Sequence, residues 1–224
     1  MENIVISIGG SVILSDDIAN NYFQKLKKTL EKLGNNYKFY IVVGGGKTAR
    51  EYIKFARKMN FNEDFLDEIG IDITRINAKI LSNYLGLSEI DIPKTTDIAK
   101  SISKPIVVMG GTIPGHSTDM VGAELAEKTN AEKFIIATNV DGVYDKDPNR
   151  YDNAKLITEI SIDDLIKKYG TEWDSAGKNI VIDGPALKII NDAKIQTYVI
   201  NGKEINQLEN VILNKDYKGT VIKK

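Results

Sequence analysis

The 224-residue sequence contains no cysteine, which excludes disulfides, zinc–thiolate centres and thiol nucleophiles. Histidine occurs once, at His116, and arginine only at Arg50, Arg57, Arg75 and Arg150. Each arginine is worth noting, because its planar fork suits bidentate binding of phosphate. Neither sign of charge is in excess. The formal net charge is −1 and the pI about 6.0, so nothing electrostatic points to a nucleic acid or a membrane surface. Long apolar runs are missing as well. The opening stretch Met1 to Gly10 is too short and too alternating for a signal peptide or a membrane span. The expectation is a soluble cytoplasmic protein without nucleic-acid or membrane partners. No Pro/Gly/Ser-rich linker or short repeat divides the chain, so residues 1–224 read as one domain around a sizeable core.

What is present is an alternation of β-branched runs and amphipathic stretches. Ile4 to Ile8, Phe39 to Val43, Ile106 to Met109, Phe134 to Thr138 and Thr197 to Ile200 read as buried strands. Asp17 to Leu33, Thr48 to Met59 and Asn62 to Leu85 read as helices. The last carries Phe65, Ile69, Ile73, Ile76, Ile80 and Leu81 on the face expected to pack. Ser161 starts a short helix within Ile160 to Tyr169, and Thr171 to Asn179 reads as an exposed loop. Strand–helix–strand repetition predicts an α/β fold with a mostly parallel sheet covered on both faces. Ligands of such sheets sit beyond the carboxyl ends of the strands.

Glycine-rich turns follow three of these strands. SIGGS (Ser7 to Ser11) offers paired glycines that let backbone approach a phosphate, and serves equally as an ordinary tight turn. VVGGGKTAR (Val42 to Arg50) is more specific. It lacks the first glycine of a P-loop, where Ile41 stands, and it lacks the second-strand acid that a dinucleotide fold requires. Three glycines ahead of a helix bearing Lys47 and Arg50 read as a phosphate cradle. MGGTIPGHSTD (Met109 to Asp119) feeds a helix whose N-terminus suits an anion. ATNVDGVYDKDP (Ala137 to Pro148) combines turn signals with a tyrosine and polar groups suited to adenosine. Two such loops close together suggest two phosphorylated ligands handled at once, and hence a kinase. Asp67, near the start of its helix, reads as a ribose ligand or as a solvated helix charge. His116 reads as a binding group rather than a base, because a phosphate acceptor is already ionised. Asp183, in VIDGPALKII, opens a helix where the dipole favours a carboxylate.

Taken in order, SIGGS, VVGGGKTAR, DEIGIDITRINA, MGGTIPGHSTD, ATNVDGVYDKDP and VIDGPALKII resemble the amino acid kinase family, and within it the archaeal UMP kinases. The resemblance runs from Ile4 to about Ile200 and weakens around Lys155 to Asn179. It implies a three-layer α/β/α sandwich with about eight strands, and transfer of the γ-phosphoryl of ATP to UMP with magnesium. By the same resemblance, Gly9, Gly10, Gly45 and Arg50 hold donor phosphates. Thr138, Asn139, Tyr144 and Asp147 form the nucleoside side of the ATP site. Gly44, Asp67 and the loop Thr112, Ile113, Pro114, Gly115, His116, Ser117 and Thr118 bind UMP. Residues 1–104 form the acceptor-side lobe and 105–224 the ATP-side lobe, with a soft boundary near Pro105. No residue is assigned to a metal, and a homohexamer is expected.

Ser7 stands where many members of that family carry a lysine, so Lys47 with magnesium is expected to replace its charge. Lys47 and Asp183 are the expected catalytic residues. Asn139 stands where bacterial relatives have a lysine. Three alternatives remain at this point. One is an isopentenyl phosphate or acetylglutamate kinase with the same ATP half. The others are a storage protein that binds nucleotides or oxyanions, and a dehydrogenase, which the missing second-strand acid disfavours.

Overall fold

The computed structural model describes residues 1–14, 19–87, 91–172 and 181–223. In chain order the elements are β1 (Glu2–Ile8), α1 (Gly10–Ile13), α2 (Ala19–Leu33), β2 (Tyr37–Val43), α3 (Gly46–Lys58) and α4 (Glu63–Tyr84). There follow α5 (Thr96–Ser101), β3 (Ile106–Met109), α6 (Thr118–Lys128), β4 (Lys133–Thr138) and a short ribbon of β5 (Val143–Tyr144) with β6 (Leu156–Ile157). The chain closes with β7 (Glu159–Ser161), α7 (Ile162–Tyr169), α8 (Gly184–Ala193), β8 (Thr197–Asn201), α9 (Ile205–Ile212) and β9 (Gly219–Lys223).

Seven strands form one sheet in the order β3-β2-β1-β4-β8-β9-β7. All neighbours pair in parallel except β8 with β9. Strand alternation divides the core into two layers. Ile4, Ile6 and Ile8 of β1 point to one face, where they meet Leu26 and Leu30 of α2, Leu81 of α4 and Leu208 of α9. Val5, Tyr40 and Val42 point to the other, against Val121 and Leu125 of α6 and Leu187 of α8. Burial on both faces is why these strands are nearly uninterrupted β-branched runs. The result is the expected α/β/α sandwich with a mostly parallel sheet. Among the described residues it has seven sheet strands plus a two-stranded ribbon, where about eight strands were expected.

Each of the five expected strands is present. The helix expected from Asp17 is described from Ala19. Ser161 is the cap of α7, its hydroxyl accepting from the Asp164 N–H at 3.1 Å, as its position predicts. Most of the expected loop Thr171 to Asn179 lies outside the described residues. The packing face of α4 keeps Leu81 of the apolar set named above and otherwise departs from it. Leu66, Ile71, Thr74, Asn77, Ala78, Leu81 and Ser82 are its buried residues, whereas Phe65, Ile76 and Ile80 are exposed. The helix turns a mixed face with three polar members inward and an apolar stripe outward. Periodicity alone cannot show this, because it assumes that the apolar face is the core face.

Candidate active site

The chain leaves β1 for β2 on one side and returns as β4 on the other, so the strand order reverses around β1. Such a reversal opens a crevice at the carboxyl ends of the strands. A cleft of about 850 Å³ lies there, at the large end of the range for small-molecule sites. Gly9 and Gly10 reach it from β1, and Gly44, Gly45 and Gly46 from β2. Gly111, His116 and Ser117 come from the loop after β3, Thr118 and Asp119 from the first turn of α6, and Ala137 to Val140 from the end of β4.

Close approach explains the glycines at the junction of the first two loops. A Cβ at Gly10 would overlap the backbone of Gly44, Gly45 and Gly46. Gly46 itself has a left-handed φ of 67°, a conformation that glycine adopts without steric cost. The two loops are therefore pressed backbone to backbone. Gly46 opens α3, so this junction also stands at the positive end of a helix.

The loop after β3 is fastened to α4. The Gly115 N–H donates to Asp67 Oδ2 at 2.7 Å. The Arg75 Nε and Nη2 donate to the Gly111 and Thr112 carbonyls at 3.2 and 2.9 Å. Ser117 ends the loop as the cap of α6, accepting from the Met120 N–H at 2.9 Å. Its hydroxyl donates in turn to Asp183 Oδ2. Asp183 caps α8 by accepting from the Ala186 N–H at 3.0 Å, so one hydroxyl joins two helix N-termini. Among the described residues, Thr112 Oγ1 and His116 Nδ1 are buried without a hydrogen-bond partner. Groups left in that state are costly unless something else engages them.

Asp119 enters the cleft floor from the first turn of α6. Burial and the neighbouring Asp183 charge push its carboxyl up to about 7, against the hydrogen bond from Ser7. On the far side, Thr138, Asn139, Tyr144 and Asp147 all line the cleft. The Tyr144 hydroxyl donates to Asp141 Oδ2 at 3.2 Å. Asp141 also accepts from Asn201 Nδ2 at 3.0 Å and lies 2.6 Å from the Lys218 ammonium. The Lys218 hydrogen bond, ahead of those from Asn201 and Tyr144, holds its carboxyl below the usual range. Asp141 thus braces the loop against the end of β8 and the residue that leads into β9. Asp147 Oδ1 caps its own turn, accepting from the Asn149 N–H at 2.9 Å.

Gly9, Gly10, Gly44, Gly45, Arg50, Asp67, His116, Ser117, Thr118, Thr138, Asn139, Tyr144 and Asp147 are all brought to this one cleft. Thr112, Ile113, Pro114 and Gly115 form the outer part of the loop, and Ile113 is exposed. Asp183 stands behind Ser117 rather than on the cleft wall. Lys47 is directed elsewhere. Its side chain is 83 % exposed and its ammonium lies 3.6 Å from Glu51 one turn along α3. The cleft holds two lysines that the sequence reading missed, Lys146 and Lys168. Lys146 stands inside a motif read for its turn residues. Lys168 lies on α7, in the stretch where the resemblance is weakest.

The sequence profile described as the Amino acid kinase family matches residues 2–201. The chain belongs to the amino acid kinase family. Among similar members, the uridylate kinase of Thermococcus kodakarensis is 41 % identical over 224 residues, covering 98 % of both chains. That of Methanococcus vannielii is 44 % identical over 229 residues, covering 98 % of this chain and 99 % of its own. The crystal structure of uridylate kinase from Archaeoglobus fulgidus superposes with a TM-score of 0.84 at 40 % identity, covering 99 % of this chain and all of its own. UMP kinase from Ureaplasma parvum, at 24 % identity and a TM-score of 0.78, shares the fold. The amino acid kinase fold thus accounts for the reversal of strand order around β1 and for the loops gathered there.

Proposed function

We propose that this chain is an ATP-dependent uridylate kinase, transferring the γ-phosphoryl of ATP to UMP to give UDP and ADP. The observation that carries the reading is the convergence of two sites on one cleft. The donor glycines after β1 and β2 adjoin an acceptor loop whose Gly115 N–H is bound to Asp67. The uridylate kinases named above, similar over nearly their whole length, support the same acceptor.

In this reading Gly9, Gly10, Gly45 and Arg50 hold the ATP phosphates, and Thr138, Asn139, Tyr144 and Asp147 hold its nucleoside. Gly44, Asp67 and the loop Thr112 to Thr118 bind UMP. Asp67 has one oxygen engaged by Gly115, which leaves the other for a ribose hydroxyl. A phosphate oxygen of UMP attacks the γ-phosphorus as the bond to the β–γ bridging oxygen breaks. That nucleophile is already ionised, so no base is required, and the protein contributes positioning and charge stabilisation. His116 Nδ1, buried without a partner among the described residues, serves as a binding group. Lys47 acts on the moving phosphoryl only if its side chain leaves Glu51.

Magnesium is a hard ion that takes oxygen ligands, commonly from substrate phosphates and one or two carboxylates. Among the described residues no three acidic or histidine side chains gather to hold a metal. The carboxylate of Asp119 on the cleft floor fits an ion that arrives with ATP, and Asp119 would be its protein contact. Bound there, it would neutralise charge on the β- and γ-phosphates. UDP formation is a step of pyrimidine nucleotide synthesis, and a cytoplasmic location is part of the same proposal. No described helix is long and apolar enough to cross a membrane.

Tyr52 and Phe55 on α3, Met59 just after it, and Phe65, Ile76 and Ile80 on α4 are exposed large apolar side chains, the kind of surface that marks an interaction site where it is contiguous. It supports a homo-oligomer, and the family resemblance suggests a hexamer. A coupled assay across UMP, CMP, dUMP and isopentenyl phosphate tests the function. UMP is expected to be the best acceptor, and a preference for isopentenyl phosphate would reverse the reading.

A further inference from the structure

Asn77 sits in the middle of α4 and is 3 % exposed. Burying an amide is costly unless its hydrogen bonds are made, and this one makes them to the phosphate loop. Its Nδ2 donates to the Gly44 carbonyl at 2.9 Å and reaches the Gly45 carbonyl at 3.4 Å. One turn earlier, Thr74 Oγ1 accepts from the Gly111 N–H at 2.7 Å and donates to the Ile71 carbonyl at 2.6 Å. A Cβ at Gly110 would lie 2.7 Å from Thr74 Oγ1 and 2.8 Å from the Arg75 nitrogen, so that loop runs directly on the helix. Arg75 holds the Gly111 and Thr112 carbonyls. About one turn of α4 therefore grips both the loop after β2 and the loop after β3.

The direction of these bonds matters. In a trans peptide the C=O of one residue and the N–H of the next point opposite ways. Holding the Gly44 and Gly45 carbonyls toward Asn77 turns the Gly45 and Gly46 N–H groups away from it. Both of those residues line the cleft, and an N–H aimed where charge develops stabilises a transition state without reorganising. We propose that Asn77 is a positioning residue for phosphoryl transfer, fixing the Gly44–Gly46 peptides so that their N–H groups face the phosphates. Thr74 and Arg75 hold the acceptor loop at a constant distance from them. The inference rests on the kinase reading and adds what keeps its glycine loop in the working conformation.

The test compares Asn77→Leu, which removes the donor, with Asn77→Asp, which keeps the shape and loses the donor, and with Asn77→Gln, which keeps the donor. Turnover is measured with whichever monophosphate the unaltered enzyme uses, so a wrong acceptor assignment appears in the unaltered enzyme alone. For Asn77→Leu and Asn77→Asp we expect kcat to fall roughly 100-fold, with both KM values within about threefold, because the effect belongs to the transition state. Asn77→Gln is expected to recover at least about a tenth of the unaltered kcat, whatever its melting temperature. Should Asn77→Leu fail to fold, Asn77→Asp carries the comparison. A folded Asn77→Leu or Asn77→Asp enzyme with kcat within about threefold of the unaltered one overturns the proposal. So does a loss that follows melting temperature across the three variants instead of following the donor.

Discussion

The Ser7 hydroxyl at the end of β1 donates to Asp119 Oδ1 in the first turn of α6 at 2.7 Å. The bond joins two elements that also pack through Val5 and Val121 in the core. It supplies one hydrogen bond to a carboxyl that burial and Asp183 otherwise disfavour as an anion. The net effect is a carboxyl raised to about 7 from an ordinary value of 3.8. The folded state therefore binds the proton more tightly than the unfolded chain.

The sign of the stability effect follows. The contribution of Asp119 is fully present below pH 3.8 and is lost as pH rises through about 7. The full shift corresponds to about 4 kcal/mol. Water in the open cleft screens part of that, and about 2 kcal/mol is the expected size. Asp119→Asn, which keeps an acceptor for Ser7, should remove this loss. Without nucleotide or magnesium, its melting temperature should exceed that of the unaltered protein at pH 8, with the gap closing toward pH 5. Equal melting curves at pH 8 would show that Asp119 titrates in the ordinary carboxylate range.

The strands were legible because burial on both faces demands uninterrupted β-branched residues, as in Ile4 to Ile8 and Phe39 to Val43. Caps were legible for a local reason, since Ser161 and Asp183 each bond within three residues. Where a decision belonged to distant partners, the sequence was silent. The edge strand β7, of three residues, is too short to carry a period of its own and exists through its pairing with β9. The inward face of α4 was misread because Thr74 and Asn77 are buried to hold backbone groups, and only a structure shows those partners. The glycines of the cleft were found because close backbone approach leaves its mark in composition. A lysine's direction leaves none, so Lys47 was expected in the cleft while Lys146 and Lys168 were overlooked.

Asp67 carries the acceptor side. Asp67→Asn retains an oxygen for the Gly115 N–H and loses the charge offered to a ribose hydroxyl. A charged hydrogen bond is worth about 1.5–3 kcal/mol, so UMP affinity should fall by roughly one to two decades. ATP affinity should stay nearly unchanged, and calorimetric titration with each nucleotide separates the two. An equal loss for ATP would place Asp67 in the framework rather than in the UMP site.

His116→Gln should lower activity without abolishing it. The glutamine retains a polar group near the position of the buried Nδ1, and the UMP phosphate needs no base. The pH dependence of kcat should keep the shape it has in the unaltered enzyme. Loss of many decades, together with disappearance of an ionisation near neutrality, would make His116 an acid–base group instead.

Arg50 and Lys47 share a helix but not a direction, since Arg50 lines the cleft and Lys47 pairs with Glu51 outside it. Arg50→Ala should therefore cost more, roughly 100- to 1,000-fold in kcat if its fork follows the moving phosphoryl. Lys47→Ala should stay within a few-fold, because an exposed i, i+4 pair contributes little. Steady-state kinetics on both variants decide the matter. A large drop in kcat for Lys47→Ala with unchanged KM values would mean that the ammonium leaves Glu51 and enters the cleft when ATP binds.

The apolar stripe on α3 and α4 gives a prediction about assembly. Phe55 is 67 % exposed and Ile76 51 % exposed, and neither belongs to the cleft lining. Covering such side chains with a second copy removes apolar surface from water at about 1.5–3 kcal/mol per large residue. In a two-fold interface each residue counts twice. Phe55→Glu should then weaken association by at least about 3 kcal/mol, which is roughly two decades in Kd. Light scattering at micromolar concentration should show the unaltered protein as an oligomer and Phe55→Glu as a smaller species with the same far-ultraviolet circular dichroism. Because α4 also grips the acceptor loop through Asp67 and Arg75, the smaller species should show a raised KM for UMP and a nearly unchanged KM for ATP. An unaltered protein that is monomeric across this range would leave the stripe without the self-partner assigned to it.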